Sequence, residues 1–461
     1  MTRTLRHPFR DGPLAHAFQI YAPSVIYSVG LGAITPAIAS ASIALGVSLA
    51  VAAATVTLVG LGSLVSTAPA ALIASRFGER RTIILSAWLG TAGALLAWAT
   101  VAGWLPPGAE AAVSTAADPT ADPAAPDQTR LALYMLSILM IGAAGAGFNL
   151  ARQSYLAVAV PITHRARAMS TLGGTIRIGL FAGPFIGAAL QTVLGLQGAF
   201  AAGTACMLAA AFISFAIRDL EAPRPGAPGA EGEGPSSGQV ATPGGEGSSV
   251  PTTAPTMRSL ARRHWRVLTS AGVGVLCLAA ARSTRTAVVP LWAEHLGLSP
   301  ATASLIYGLS GFVDLVMFYP SGLLMDRKGR RVVAVSCLGG MTVAMALVPL
   351  TGTPGWFMAA ALLIGLGNGF GSGIVMTLGA DYSPEVGRPK FLGLWRLISD
   401  SGVLAGPALL SVVTAFAGLA AGIWAVAVVC AVGTGVFAAV LPKGPGPVGG
   451  RRRDGAPVGS G

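Results

Sequence analysis

The sequence predicts an all-α polytopic membrane protein, with twelve transmembrane helices arranged as two parallel six-helix repeats. Three observations carry that reading. Only 10% of the 461 residues are charged and 53% are hydrophobic, with a mean hydropathy of +0.68. A soluble domain carries about 25% charged residues, so this chain lacks the polar surface to be one. The Lys and Arg residues gather in alternate loops, and the second half of the chain repeats the first at fixed shifts.

A helix needs about 20 largely apolar residues to cross the hydrocarbon, and the chain offers twelve such stretches. The first six lie at 14–37, 48–73, 82–104, 131–153, 169–191 and 197–217. The second six lie at 265–290, 301–324, 332–350, 356–379, 391–413 and 418–440. Gly and Pro recur inside them, as membrane helices allow. The basic tail 1–13 leads into an apolar stretch, as a secretory signal would, but that stretch outruns the roughly 7–15 residues of a signal's apolar region. It reads as a retained first span. Residues 14–217 then form one six-helix bundle and 265–440 a second. The linker 218–264 between them is rich in Gly, Pro, Ser and Ala over 222–256. That composition cannot support a packed core, and neither can the Ala/Pro/Asp-rich loop 105–130, so both are expected to be disordered. Residues 441–461 form a basic C-terminal tail.

Orientation follows from the cations. Of the 30 Lys and Arg, 25 fall in 1–13, 74–81, 152–168, 218–266, 326–331, 380–390 and 441–461. The intervening loops hold one, Arg130, beside Glu110, Asp118, Asp122, Asp127 and Glu294. The positive-inside rule therefore places both termini and the linker on the cytoplasmic side of a plasma membrane. The net charge of +12 is broken into short clusters between apolar runs. No basic face carries interleaved aromatics, so the expected partner is the lipid bilayer and not nucleic acid, with a single copy as the unit. The four cysteines (Cys206, Cys277, Cys337, Cys430) stand singly in apolar runs and imply neither a disulfide framework nor a metal site. No HExxH, GxSxG or nucleotide-binding loop is present, which argues against an enzyme.

The repeat is read by shifting the chain on itself. A shift of 251 brings Leu45-Gly46 and Ser48 onto Leu296-Gly297 and Ser299, and Pro69, Arg76, Gly78 and Arg80 onto Pro320, Arg327, Gly329 and Arg331. Further on, a shift of 223 matches Ile141-Gly142 with Ile364-Gly365, Pro161 with Pro384, and Gly183-Pro184 with Gly406-Pro407. One insertion in the first half, the loop 105–130, accounts for the change of shift. Parallel repeats of this kind mark one class of secondary transporter.

With these motifs in view the chain resembles the major facilitator superfamily over essentially its whole length. The family's loop between the second and third spans, and again between the eighth and ninth, runs Gly, Asp-Arg, Gly-Arg-Arg. The second copy is intact here as Gly322-Leu-Leu-Met-Asp326-Arg327-Lys-Gly329-Arg330-Arg331. The first has drifted to Ala71-Leu-Ile-Ala-Ser75-Arg76-Phe-Gly78-Glu79-Arg80-Arg81. The resemblance implies that these turns fasten helix ends together and act as conformational switches. Asp326 is expected to accept hydrogen bonds at a helix end and Gly329 to permit the reversal, with Arg327, Arg330 and Arg331 in water or at headgroups. In the fifth span, Gly179-Leu-Phe-Ala-Gly183-Pro184-Phe-Ile-Gly187 resembles the Gly-x-x-x-Gly-Pro-x-x-Gly signature of the family's antiporters and exporters. Stacked glycines also allow helices to approach closely, and the eleventh span carries a similar copy from Gly402 to Gly406-Pro407. The Arg that the family places early in the fourth span is absent; Ile138 stands there.

Six ionisable residues sit at membrane depth: Arg177, Arg282, Arg285, Asp314, Arg396 and Asp400. Each costs roughly 2.5–3.5 kcal/mol at a helix centre, so each needs a partner, water or a purpose. Arg396 and Asp400 are spaced to pair along one helix. Asp314 and Arg177 are placed to face one another between the halves, and the resemblance puts Arg282 and Arg285 on the wall of a central cavity. The two carboxylates are the candidate proton carriers, Asp400 foremost. All five His residues (His7, His16, His164, His264, His295) fall at loops or span edges. The function expected is a secondary transporter without a cofactor, exporting a small organic compound against a proton gradient. The alternatives are an importer, an uncoupled facilitator and, more remotely, a transport-dead sensor or a membrane enzyme.

Overall fold

A computed structural model of the chain describes residues 15–105, 127–160, 162–217, 257–371, 373–384 and 388–444. The tail 1–13 and most of the loop 105–130, the linker and the C-terminal tail, with the disorder expected of the loop and linker, lie outside the described residues. Among those described there is no strand, and helix accounts for almost everything.

The first span, α1, is two segments, Ala15–Ile34 and Ala37–Ala44, bent by 41° at Thr35-Pro36. Then come α2 (Leu49–Phe77), α3 (Glu79–Val101), α4 (Gln128–Ala159), α5 (Ile162–Leu194) and α6 (Gln197–Ser214). The second half opens with short helices Met257–Arg263 and Trp265–Thr269, so the end of the expected linker is helical, with Leu260 buried. It continues with α7 (Ala271–His295), α8 (Pro300–Lys328), α9 (Arg330–Leu347) and α10, broken at Gly373 into Pro354–Phe370 and Ile374–Tyr382. The last helix, Arg388–Val440, has 53 residues and would measure about 80 Å if straight, against about 30 Å of hydrocarbon. It is not straight: Gly418 has φ 84° and ψ 167°, which divides it into two limbs, α11 and α12. With that break, and the bent α1 counted once, the described helices supply twelve segments for crossing a membrane, judged by length and composition.

The repeat seen in the sequence reappears in the backbone. Ser48 caps α2 by accepting from the Val51 N–H, and Ser299 caps α8 by accepting from Thr302. Gly78 (φ 85°) and Gly329 (φ 87°) both take the left-handed conformation that turns one helix directly into the next, which side chains with a Cβ rarely adopt. Gly195 and Gly418, related by the shift of 223, do the same between α5 and α6 and between α11 and α12. Packing follows suit: α1 lies on α5, α2 on α4 and α3 on α6, while α7 lies on α11, α8 on α10 and α9 on α12. The closest approaches are matched atom for atom. A Cβ on Gly142 of α4 would strike the Val59 carbonyl of α2, and one on Gly365 of α10 would strike the Ser310 carbonyl of α8. Small residues are what permits such packing where the surroundings are as apolar as the helices.

The two bundles meet along α2 with α11 and α5 with α8. Among the described residues two hydrogen bonds join them at the end away from the charged turns: Ser411 Oγ donates to the Ala50 carbonyl at 2.8 Å, and Gln191 Nε2 to Ser304 Oγ at 2.9 Å. Large apolar side chains such as Leu72, Phe212, Trp356 and Phe416 stand exposed on the outer surface, as lipid contact requires. One cation departs from the charge pattern. Arg152, counted with the loop 152–168, lies inside α4, which runs on to Ala159, and is buried.

Candidate functional site

Between the halves lies a cavity of about 190 Å³. The N-terminal half contributes Gly32 and Thr35 from α1 and Arg177, Leu180 and Phe181 from α5. Facing them are Arg282 and Arg285 of α7, Tyr307, Gly311, Asp314 and Leu315 of α8, and Asn368 of α10. Four of the six membrane charges therefore converge, three guanidiniums around one carboxylate.

Asp314 is the hub. Its Oδ1 lies 3.7 Å from Arg177 Nη1, across the boundary between halves, and its Oδ2 lies 3.6 Å from Arg285 Nη1. Asn368 Nδ2 donates to Oδ2 at 2.7 Å. The amide oxygen of the same Asn368 accepts from Arg282 Nε at 2.7 Å, so one neutral side chain relays between a cation and an anion. Arg282 also donates to the carbonyls of Gly371 and Asn368, which are exposed where α10 breaks. The remaining two guanidiniums lie over rings, Arg177 4.4 Å from the centroid of Phe318 and Arg285 4.9 Å from that of Tyr307. Both distances suit cation–π attraction. Phe181 packs edge-on to Phe185 and tilted against Phe312, which gives the cavity an aromatic flank that joins the halves.

Arg396 and Asp400 are elsewhere. They pair with each other at 3.6 Å along α11, more than half of the Arg396 side chain is exposed, and neither lines the cavity. Asp400, named foremost among the candidate proton carriers, thus lies outside the cavity, and Asp314 lines it. Asn368 was not foreseen. Its signal was a lone amide in the apolar run "LLIGLGNGF".

The charged turns hold helix ends, though not through the expected residue. Asp326 is exposed near the end of α8 and forms no hydrogen bond or ion pair among the described residues. Arg330, expected in water, is instead the fastener: its Nε donates to Asp381 Oδ2 of α10 at 2.9 Å. In the first copy the residue at the Arg330 position is Glu79, which accepts from Ser154 of α4 at 3.0 Å, and Arg80 donates to the Phe215 carbonyl at the end of α6. The start of α3 thus still holds the end of α4, with donor and acceptor exchanged and the partner one turn away from the position that matches Asp381. Arg76, Arg327 and Arg331 sit at the surface or near it, and Gly322 has open space around it. In the fifth-span motif, Gly179, Gly183 and Gly187 press α5 against the α1 backbone at Val25, Val29 and Ala33, while Pro184 abuts Gly308 of α8. Gly402 and Gly406 press α11 against α7 at Leu276 and Ala280 in the same way.

Two repeated six-helix bundles around a polar cavity at mid-depth define a membrane transporter of the parallel-repeat class, and not an enzyme. The chain belongs to the Major Facilitator Superfamily, whose family model matches residues 24–280 and 271–459. Multidrug resistance protein MdtG of Citrobacter koseri is 32% identical over 155 residues, a stretch that spans 31% of this chain and 37% of that protein. Among solved structures, a point mutant of the nucleoside transporter NupG superposes with a TM-score of 0.64 at 12% identity, covering 92% of this chain and 98% of that one. A D-xylose-proton symporter gives 0.63 at 13% identity, covering 93% and 97%. An inward-facing bacterial homologue of the lysosomal transporter Spinster gives 0.62 at 14% identity, covering 94% and 97%. At such identities these structures define the shared fold.

Proposed function

We propose that the chain is a proton-coupled secondary transporter that exports a small organic compound through the Asp314 cavity by alternating access. The observation that carries this is the Arg177–Asp314 pair, which spans the two halves. Any rocking of one bundle against the other must make or break it, so the charge state of Asp314 and the conformation of the carrier depend on each other. Export is supported by the MdtG relative and by the fifth-span glycine motif. Both termini lie in the cytoplasm of a plasma-membrane protein on this reading, as the loop cations suggest.

One observation favours a second direction. The cavity lining holds three arginines and one carboxylate. A proton on Asp314 removes the only negative charge, so a proton and an anionic substrate strengthen each other's binding. Ligands that bind together travel together, and an inward proton gradient would then drive uptake. Flux in vesicles containing the purified protein, with the pH gradient imposed in either sense, separates the two. Accumulation driven by protons moving the opposite way supports export, and accumulation with them supports uptake. Asp314→Asn is expected to abolish the dependence on pH in either case, while substrate counterflow persists. Topology is tested separately: a cysteine introduced within 106–126 should react with an impermeant thiol reagent from outside intact cells, and one within 222–256 should not.

A further inference from the structure

We infer that the substrate of this cavity is an organic monoanion, its carboxylate or sulfonate seated between Arg177 and Arg285 and its flat apolar body against Phe181 and Tyr307. This names the ligand class for the site on which the transport reading rests, and, because a proton on Asp314 and an anion strengthen each other's binding, it favours uptake with protons over export.

The hydrogen-bond donors single out two arginines. A guanidinium has five N–H donors and no acceptor. Arg282 directs its donors to Asn368 and Gly371. Arg177 and Arg285 donate no hydrogen bond among the described residues, and their approaches to Asp314, at 3.7 and 3.6 Å, are too long for formed N–H···O bonds. Arg285 makes this pointed, because its side chain is only 8% exposed yet lines the cavity. Its Nη2 is the nearest atom that a Cβ on Gly311 would meet, at 3.7 Å, so a cavity-lining glycine leaves that guanidinium uncovered. A buried cation whose donors lack acceptors is shaped to receive an anion.

Asp314 reads as the internal stand-in for that ligand. One oxygen is held by Asn368, while the other is buried with no hydrogen bond and faces Arg177 at ion-pair distance. A substrate carboxylate able to reach both guanidiniums would satisfy donors that Asp314 reaches only loosely. The lining carries two more positive charges than negative ones, which repels an organic cation and gives a neutral compound nothing to offset the displacement of Asp314. Leu180, Phe181, Leu315 and Tyr307 supply apolar and aromatic wall, and about 190 Å³ suits one small ring system and not a polyanion.

The test uses the full-length protein in detergent and chloride-free buffer, with 2-naphthoate, 2-naphthylmethylamine and 2-naphthalenemethanol as matched probes. Naphthoate should raise the unfolding temperature, the rise growing with the logarithm of its concentration above the Kd, and the amine and the alcohol should not. Arg177→Gln should weaken naphthoate binding about tenfold or more, as loss of a charge-assisted contact does. Asp314→Asn should instead tighten it by a similar factor, because the internal competitor is gone. Changes of opposite sign cannot both come from damaged folding. Stabilisation by the amine, by none of the three probes, or loss of naphthoate binding in both variants overturns the inference. Naphthoate binding with the expected signs but no flux in vesicles would sink the transport reading and leave this one standing. Flux of the amine without naphthoate binding would do the reverse.

Discussion

Asn368 does more at the residue scale than its chemistry announces. It gives one hydrogen bond to Asp314 and takes one from Arg282, so it orders a cluster that would otherwise be one anion among three repelling cations. Asn368→Leu leaves the Arg282 Nε without its acceptor and Asp314 Oδ2 without its neutral donor. Both groups are part-buried, so the expected cost is about 1 kcal/mol for each one orphaned, read as a lowered unfolding temperature, together with loss of transport. An unfolding temperature equal to that of the unsubstituted protein would show that the relay is dispensable. The four cavity charges were legible in the sequence because ionisable groups in apolar spans are rare and expensive. Asn368 was not, since a neutral amide among glycines and leucines looks like ordinary small-residue packing. Arg396 and Asp400 were legible as a pair from their spacing alone, but spacing does not say which way a helix face points.

At the element scale, the glycine motif of α5 is first a packing device, because α11 repeats it against the equivalent partner. A Cβ on Gly183 would strike the backbone of α1 at Val29 and Ala33, and one on Gly406 that of α7 at Ala280. Gly183→Ala and Gly406→Ala are therefore expected to destabilise to a similar degree, about 1–3 kcal/mol each, by overpacking. Thermal unfolding of the two variants checks this, and damage confined to Gly183 would instead mark a role special to α5. The turn between α8 and α9 yields a second comparison. Arg330 holds Asp381 through Nε, an atom that lysine lacks, so Arg330→Lys should weaken the fastening of α9 to α10 while Asp326→Asn leaves it intact. Thiol accessibility of a cysteine placed at Leu378, buried in the second segment of α10, reports the difference. The glycine reversals at Gly78 and Gly329 were readable from the motif. The extension of α4 beyond residue 153 to Ala159 was not, because Arg152, Gln153 and Ser154 close the apolar run and read as the start of a loop. In the structure Arg152 is covered by the bundle, its guanidinium on Asn149 and over the Phe148 ring.

For the whole molecule, the twin six-helix architecture was legible because the two halves keep residues at matching places: Ser48 with Ser299, Gly78 with Gly329, Gly183-Pro184 with Gly406-Pro407. The conformational state was not, since one sequence encodes every state of the cycle and the pattern of apolar residues is common to all of them. Here the halves are joined at the end away from the charged turns by Ser411 to Ala50 and Gln191 to Ser304, and at mid-depth by Arg177 to Asp314. Opening that end requires both hydrogen bonds to break. A hydrogen bond contributes about 1 kcal/mol net, so removing one should raise the ratio of open to closed at that end roughly fivefold. The two bonds lie on different helix pairs, and their effects should multiply in a Gln191→Ala, Ser411→Ala double variant. Spin labels at Val193 of α5 and His295 of α7, both exposed at that end and one in each half, measure the separation directly. The long-distance population should grow stepwise from the unsubstituted protein through the single variants to the double. If it stays fixed, the joint at that end is made by the aromatic contacts of Phe181 and Phe185 with α8, and the polar pairs only decorate it.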